Sequence, residues 1–218
     1  FEVIVVACPR GIARASARAD AASLKLVPFD IANISRARNL GIAAAAGEIT
    51  AFIDDDAVPE PTWLGYLAAP FSDPEVAAAG GYVRGRNGID YQWTARSVDG
   101  TGAEQELTLP DMAPHSARPE RGTLKLQGTN MAHRRATLAA MGGFDPRYHF
   151  YLDETDLDLR HAEGGHRVTL VPLAQVHHGY AESDRRAADR TPRDLSEIGA
   201  SMAIFLSRHC PEQKRSRA

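Results

Sequence analysis

Apolar positions fall in short blocks separated by polar turns. Residues 2–6 are β-rich and nearly continuous in apolar character, as expected of a strand covered on both faces. Residues 24–29 form a second block and residues 48–53 a third. Between the first two, the Ala- and Arg-rich residues 12–22 predict a helix. Between the second and third, Ser35 reads as an N-cap to a helix over 37–46, which Gly47 stops. Pro61 or Thr62 opens another helix that runs to Ala69. Strand, helix, strand, helix, strand is the pattern of a parallel α/β sheet. Ligands of such sheets gather beyond the carboxyl ends of the strands.

Further along, residues 76–83 predict a strand. Residues 84–120 are polar and scattered with Gly, Asp and Pro, and they predict a long irregular, mobile segment that orders over a ligand. Order returns at residues 123–126. Short helices are expected over 134–141, stopped by Gly142 and Gly143, and over 155–163, stopped by Gly164 and Gly165, with Thr155 or Asp153 as the cap of the second. Residues 167–171 read as a strand that 174–178 continue along the edge. Residues 195–209 form an amphipathic helix, and Lys214 to Arg217 make a basic, frayed tail. This divides the chain into a main domain over 1–180 and a C-terminal helical extension over 181–218.

Composition narrows the class. The chain has 218 residues, enough for one domain with a real core. At 44% hydrophobic and 24% charged it reads as globular, and a net charge of -3 gives no electrostatic reason to expect nucleic acid. The apolar runs are far shorter than the roughly 20 residues of a membrane span. The start of the chain has an apolar stretch without a basic leader, so it reads as strand, not signal peptide. Cys8 and Cys210 make neither a disulfide framework nor a zinc set, so free thiols in the cytoplasm are expected.

Three clusters bear on chemistry. The block at 49–53 ends in Asp54, Asp55 and Asp56, at the strand edge where ligands collect. Adjacent carboxylates repel, so they mark either a solvated turn or a divalent cation, and a hard cation prefers such oxygen ligands together with substrate phosphates. The second cluster is Asp153, Glu154, Asp156 and Asp158, where acids suit the first turn of a helix and one carboxylate facing a hydroxyl would serve as general base. The third is His177–His178. Adjacent residues on a strand point to opposite faces, so at most one of the pair joins a metal site.

The order of these clusters resembles the family 2 inverting glycosyltransferases of the GT-A fold. Residues 33–42 resemble that family's Ala-Arg-Asn-x-Gly helix start, and 52–61 its DxD segment with the proline that follows. Residues 128–135, followed by Gly142-Gly143-Phe144-Asp145, are similar to its central signature. Asp153 and Glu154 sit at its ED motif, and His178 ends a strand as its metal-binding histidine does. The match begins at the family's second strand, so the first strand and helix are expected to be absent here. Ala7 stands where many members carry an aspartate that touches the base.

The resemblance implies an α/β fold with a Rossmann-like, GT-A-type, mostly parallel central sheet flanked by helices, and a smaller acceptor-side region. It implies transfer of a sugar from a nucleotide-diphosphate donor to a saccharide or lipid-linked acceptor, with Mn²⁺ or Mg²⁺ as cofactor. A lipid-linked acceptor would bring the chain peripherally to the inner face of the membrane. Asp54 and Asp55 would lie near the donor ribose, Asp56 and His178 would take the metal, and Arg38 would help hold the nucleotide. Gly128, Thr129 and Asn130 would line the donor sugar. Glu154 would be the base, with Asp153 the competing candidate. Trp63 is expected to pack in the core. Two other readings compete: an inactive glycosyltransferase-like binding domain, and a sugar nucleotidyltransferase, whose Gly-rich basic phosphate loop is not evident in the sequence.

Overall fold

The computed structural model describes residues 1–18, 20–116, 119–179, 187 and 191–211. The basic tail at 214–217 lies outside the described residues. The first half runs β1 (Val3–Ala7), α1 (Pro9–Ser16), β2 (Leu24–Pro28), α2 (Ile34–Ala44), β3 (Ile49–Phe52), β4 (Ala57–Pro59), α3 (Trp63–Ala68) and β5 (Val76–Arg84). Then follow β6 (Tyr91–Trp93), β7 (Arg96–Val98), β8 (Glu104–Glu106), β9 (Thr123–Leu124), β10 (Met131–Arg134), α4 (Arg135–Ala140), α5 (Asp153–Glu163), β11 (Arg167–His178) and α6 (Ser196–His209).

β1 and β2 form a separate two-stranded parallel sheet. The main sheet has six strands in the order β3-β10-β5-β11-β4, with β6 on β5. β10 runs antiparallel to both β3 and β5, while β5 and β11 are parallel. β3, β5 and β11 therefore share one direction, and the expected parallel frame is present. The sheet as a whole is nonetheless mixed, because β10 threads between β3 and β5 in the opposite sense and β4 and β6 run antiparallel to β11 and β5. Its two faces bury separate clusters. One holds Leu126, Met131, Leu138, Phe144 and Leu157; the other holds Trp63, Leu67, Ala132, Val171 and Val176. Met131 and Ala132, adjacent on β10, divide between the two as strand alternation requires.

Residues 84–120 do not form one long irregular segment. β6 joins the main sheet, and β7 lies between β8 and β9 in a small antiparallel sheet. These strands are two or three residues long and pair non-locally, too short for a periodicity to show.

Two helix caps also differ from expectation. The cap of α2 is Asn33, whose side chain accepts from Arg36 N at 2.9 Å. Ser35 is buried and donates instead to the Tyr148 carbonyl at 2.7 Å. Neither Asp153 nor Thr155 caps α5. Leu152 holds that place in a left-handed conformation (φ 64°), just after Tyr151 at φ 74°. Among the described residues no helix is long and apolar enough to cross a membrane.

Candidate active site

The site grows from the carboxyl end of β3. The chain leaves the strand in a turn closed by Ala57 N donating to the Asp54 carbonyl at 3.1 Å, and returns as β4 along β11. Gly179 N donates to the Asp56 carbonyl at 2.7 Å, which fixes the end of β11 against the turn. These contacts bring Asp54, Asp56 and His178 together, with one ligand atom of each within 4.8 Å of the others. His178 Nε2 lies 3.1 Å from Asp56 Oδ1. Asp55 is exposed on the turn. His177 points to the other face and meets Glu60 Oε1 at 2.6 Å. The two carboxylates suit Mn²⁺ or Mg²⁺, which favour oxygen ligands, and the imidazole fits the softer Mn²⁺ better than Mg²⁺. Burial raises the Asp54 carboxyl, against the pull of Arg38 and His178. A cation bound there would reverse that shift.

Arg38 joins this cluster to the second one. It is 9% exposed, its guanidinium lies 3.6 Å from Asp54 Oδ1, and it forms a close ion pair with Asp153. The Phe144 ring packs against it at 5.3 Å. A Cβ on Gly128 would come within 2.5 Å of the guanidinium, so glycine at this position gives Arg38 its passage. α5 carries Asp153 and Glu154 on its first turn, immediately after the two left-handed residues. Asp153 is buried behind Arg38, whereas Glu154 is only partly covered.

Thr129 is buried, and its hydroxyl has no partner among the described residues, so a donor group is available at the Gly128 turn. Asn130 does not fit direct contact with a ligand. It is fully buried, accepts from Trp63 Nε1 at 2.7 Å and donates to the carbonyls of Tyr82 and Ala174. Its amide holds the turn in place from behind. Trp63, as expected, packs in the core.

Two further residues escaped the sequence. Lys125 is 5% exposed, donates to Thr155 Oγ1 at 3.1 Å, pairs with Glu104 at 2.8 Å and contributes positive potential at Glu154. A lysine between Leu124 and Leu126, directly after β9, was the available signal. Gln92, on β6, reaches His178. Nothing in its surrounding sequence marks it.

Residues 3–195 match the family model described as "Glycosyltransferase like family 2". Pre-mycofactocin glycosyltransferase of Mycobacterium tuberculosis is 31% identical over 149 residues, covering 66% of this chain and 29% of that protein. Glucosyl-dolichyl phosphate glucuronosyltransferase of Haloferax volcanii is 26% identical over 153 residues, covering 66% and 47%. The chain thus spans less than half the length of either relative. Among solved structures, GalNAc-T7 with UDP, GalNAc and Mn²⁺ superposes with a TM-score of 0.65 at 14% identity, covering 94% of this chain and 48% of that one. The mannosyltransferase PcManGT from Pyrobaculum calidifontis, with GDP-Man and Mn²⁺, gives 0.59 at 19% identity, covering 100% and 66%. These likenesses establish the GT-A fold.

Proposed function

The chain belongs to glycosyltransferase-like family 2, and from that premise we propose that it moves a sugar from a nucleotide-diphosphate donor to a hydroxyl of a saccharide or lipid-linked acceptor, inverting the anomeric carbon. One observation carries this reading: Arg38 ties Asp54, in the cluster suited to a cation, to Asp153, beside a partly exposed Glu154. The proposed diphosphate end and the proposed base end would thereby be held in one frame.

Asp54, Asp56 and His178 would hold Mn²⁺ or Mg²⁺, which supplies charge stabilisation for a departing diphosphate. Arg38 adds fixed positive charge in a poorly solvated position. Asp55, exposed on the turn, is free to meet the donor ribose, and Gly128 and Thr129 border the donor sugar. Glu154 accepts the proton of the acceptor hydroxyl. The acceptor oxygen forms a bond to the anomeric carbon as the bond to the diphosphate breaks on the opposite face, and the nucleoside diphosphate leaves. A single displacement of this kind inverts the centre.

The test begins with a thermal-shift screen of UDP- and GDP-sugars with and without Mn²⁺, since a ligand bound only to the folded state raises its melting temperature. Asp56→Ala should abolish the metal-dependent part of the shift. With the donor identified, Glu154→Gln should leave donor and Mn²⁺ binding intact and slow transfer by roughly a hundredfold or more, the scale of losing a positioned base. Robust transfer by Glu154→Gln would remove the assigned base. Pyrophosphate release from a nucleoside triphosphate, without transfer, would favour a nucleotidyltransferase.

A further inference from the structure

Strand pairing skips Gln92. Val83 lies opposite Trp93 and Arg84 opposite Tyr91, so β6 carries one residue more than β5 across that step. Such a bulge bends the strand and re-aims a side chain, and bulges concentrate beside active sites. The Gln92 amide lies 3.3 Å from Nδ1 of His178. The same residue forms part of an open cleft of ≈ 580 Å³ with Arg86, Asn87, Asp90 and Tyr91.

An imidazole binds a cation through its unprotonated nitrogen, and the proton on the other nitrogen then needs an acceptor. Nε2 of His178 faces Asp56, and Nδ1 faces Gln92. When Nε2 carries the proton, it donates to Asp56, and the Gln92 NH₂ donates to Nδ1. When Nε2 holds a cation, the proton belongs on Nδ1, and Gln92 has to present its carbonyl. A primary amide serves both states, because half a turn about its last torsion exchanges donor for acceptor.

We propose that Gln92 is a positioning residue that selects the metal-binding tautomer of His178. The proposal rests on the reading of Asp54, Asp56 and His178 as the cation site. It adds to that site a residue whose role is to orient a ligand, not to touch the ion.

The experiment measures Mn²⁺ affinity of the chain, with Mn²⁺ alone as the probe, from the paramagnetic resonance signal of the free ion. Gln92→Met keeps the length of the side chain and loses both hydrogen-bonding roles; it should weaken binding 10- to 100-fold, the usual range for removing an outer partner of a ligating histidine. Gln92→Glu can only accept, so it should bind Mn²⁺ at least as tightly as the parent. Loss of packing alone would not separate the two variants in this way. Should Gln92→Met fail to fold, the Glu variant decides by itself: affinity below that of the parent overturns the proposal. Parent-like binding by Gln92→Met also overturns it, while leaving the cation site in place. His178→Ala tests the underlying site. If it binds Mn²⁺ as the parent does, the cation reading fails and the role of Gln92 fails with it.

Discussion

Asp153 and Glu154 are neighbours in the chain but occupy different electrostatic surroundings. Burial pushes Asp153 up to about 7 against the opposing pull of Arg38. Burial also raises Glu154, but Lys125 and Arg38 outweigh it and hold that carboxyl below its ordinary value. Glu154 therefore remains ionised at neutral pH, as the proposed base requires, while Asp153 pairs with Arg38. Above pH 7, where Asp153 is mostly ionised, Asp153→Asn removes one charge of a buried pair, a change of about 3 kcal/mol in stability. The expected result is a clear fall in melting temperature, with a smaller loss of transfer than Glu154→Gln gives. The reverse order of activity losses would move the base to Asp153. Lys125 supplies a sharper check, because its charge favours the ionised form of Glu154. Lys125→Met should raise the Glu154 value and shift the acid limb of the pH dependence of kcat/KM to higher pH; an unmoved limb would separate Lys125 from the base. Much of the candidate site was readable at this scale, although Asp54, expected beside the donor ribose, lies in the cluster suited to a cation. Asp54, Asp56 and His178 announced themselves as polar residues ending apolar strands, and Asp153 and Glu154 as acids at a helix start. Lys125 and Gln92 were not readable as partners, because their roles depend on β6 and β9 folding back from a region with no periodic pattern.

The elements that position these residues constrain one another through backbone contacts. β5 and β11 pair from Arg167↔Val76 to His177↔Arg84, with an irregularity between Val171 and Val176 where Pro172 to Gln175 bulge out of register. Gly81 lies beneath that irregularity. A Cβ there would fall 1.7 Å from the Ala174 carbonyl oxygen and 2.7 Å from Asn130 Nδ2. The obstructing atoms are backbone and an amide already committed to three partners, so they have nowhere to move. Gly81→Ala should cost about 3 kcal/mol, the upper part of the range for forcing an extra carbon into a packed interior. Urea unfolding would measure this, and an unchanged midpoint would show that the β5–β11 contact is slack. The same region shows why elements were partly legible in the sequence. The apolar blocks at 2–6, 24–29, 48–53 and 76–83 all became strands, although only β5 is buried on both faces, while β1, β2 and β3 are half-covered. Strand direction leaves no sequence signature, and β10 itself, four residues long and running straight into α4, was not read as a strand. The start of α5 was misread because Tyr151 and Leu152 adopt positive φ, which bulky side chains rarely do and which no local preference predicts.

Across the whole molecule, buried titratable groups link the site's helices to the sheet behind them. α6 packs Phe205 against Tyr148, Leu152 and Leu159, and its His209 meets the buried Asp156 at 2.9 Å. Deeper in, the rings of His133 on β10 and His161 on α5 stack with centroids 5.2 Å apart. His133 Nδ1 and His161 Nε2 are 3.0 Å apart, and His161 Nδ1 lies 3.3 Å from His166 Nδ1. Both stacked rings are fully buried. Burial first, then His166 and Arg160, bring His161 from 6.5 down to about 3. The folded value lies below the unfolded one, so this residue favours the folded state above pH 6.5. That advantage is lost as pH falls, because the unfolded chain takes up the proton first. The loss runs at about 1.4 kcal/mol per pH unit between the two values. Asp158, raised well above 3.8 by burial, works in the opposite sense over part of the range, so the parent's curve alone does not isolate the histidine. A comparison with His161→Phe does, since Phe fills similar space and cannot titrate. At pH 7 the variant should be less stable by about 2 kcal/mol, having lost two hydrogen bonds between buried or half-buried groups. Below about pH 6.5 the gap should close and then change sign within roughly two units, as the parent alone loses stability from this position. Urea unfolding of both proteins at matched pH values measures it directly. A gap that stays constant with pH would mean that His161 titrates alike in the folded and unfolded chains, and that the stacked pair is not sealed from water as its geometry implies.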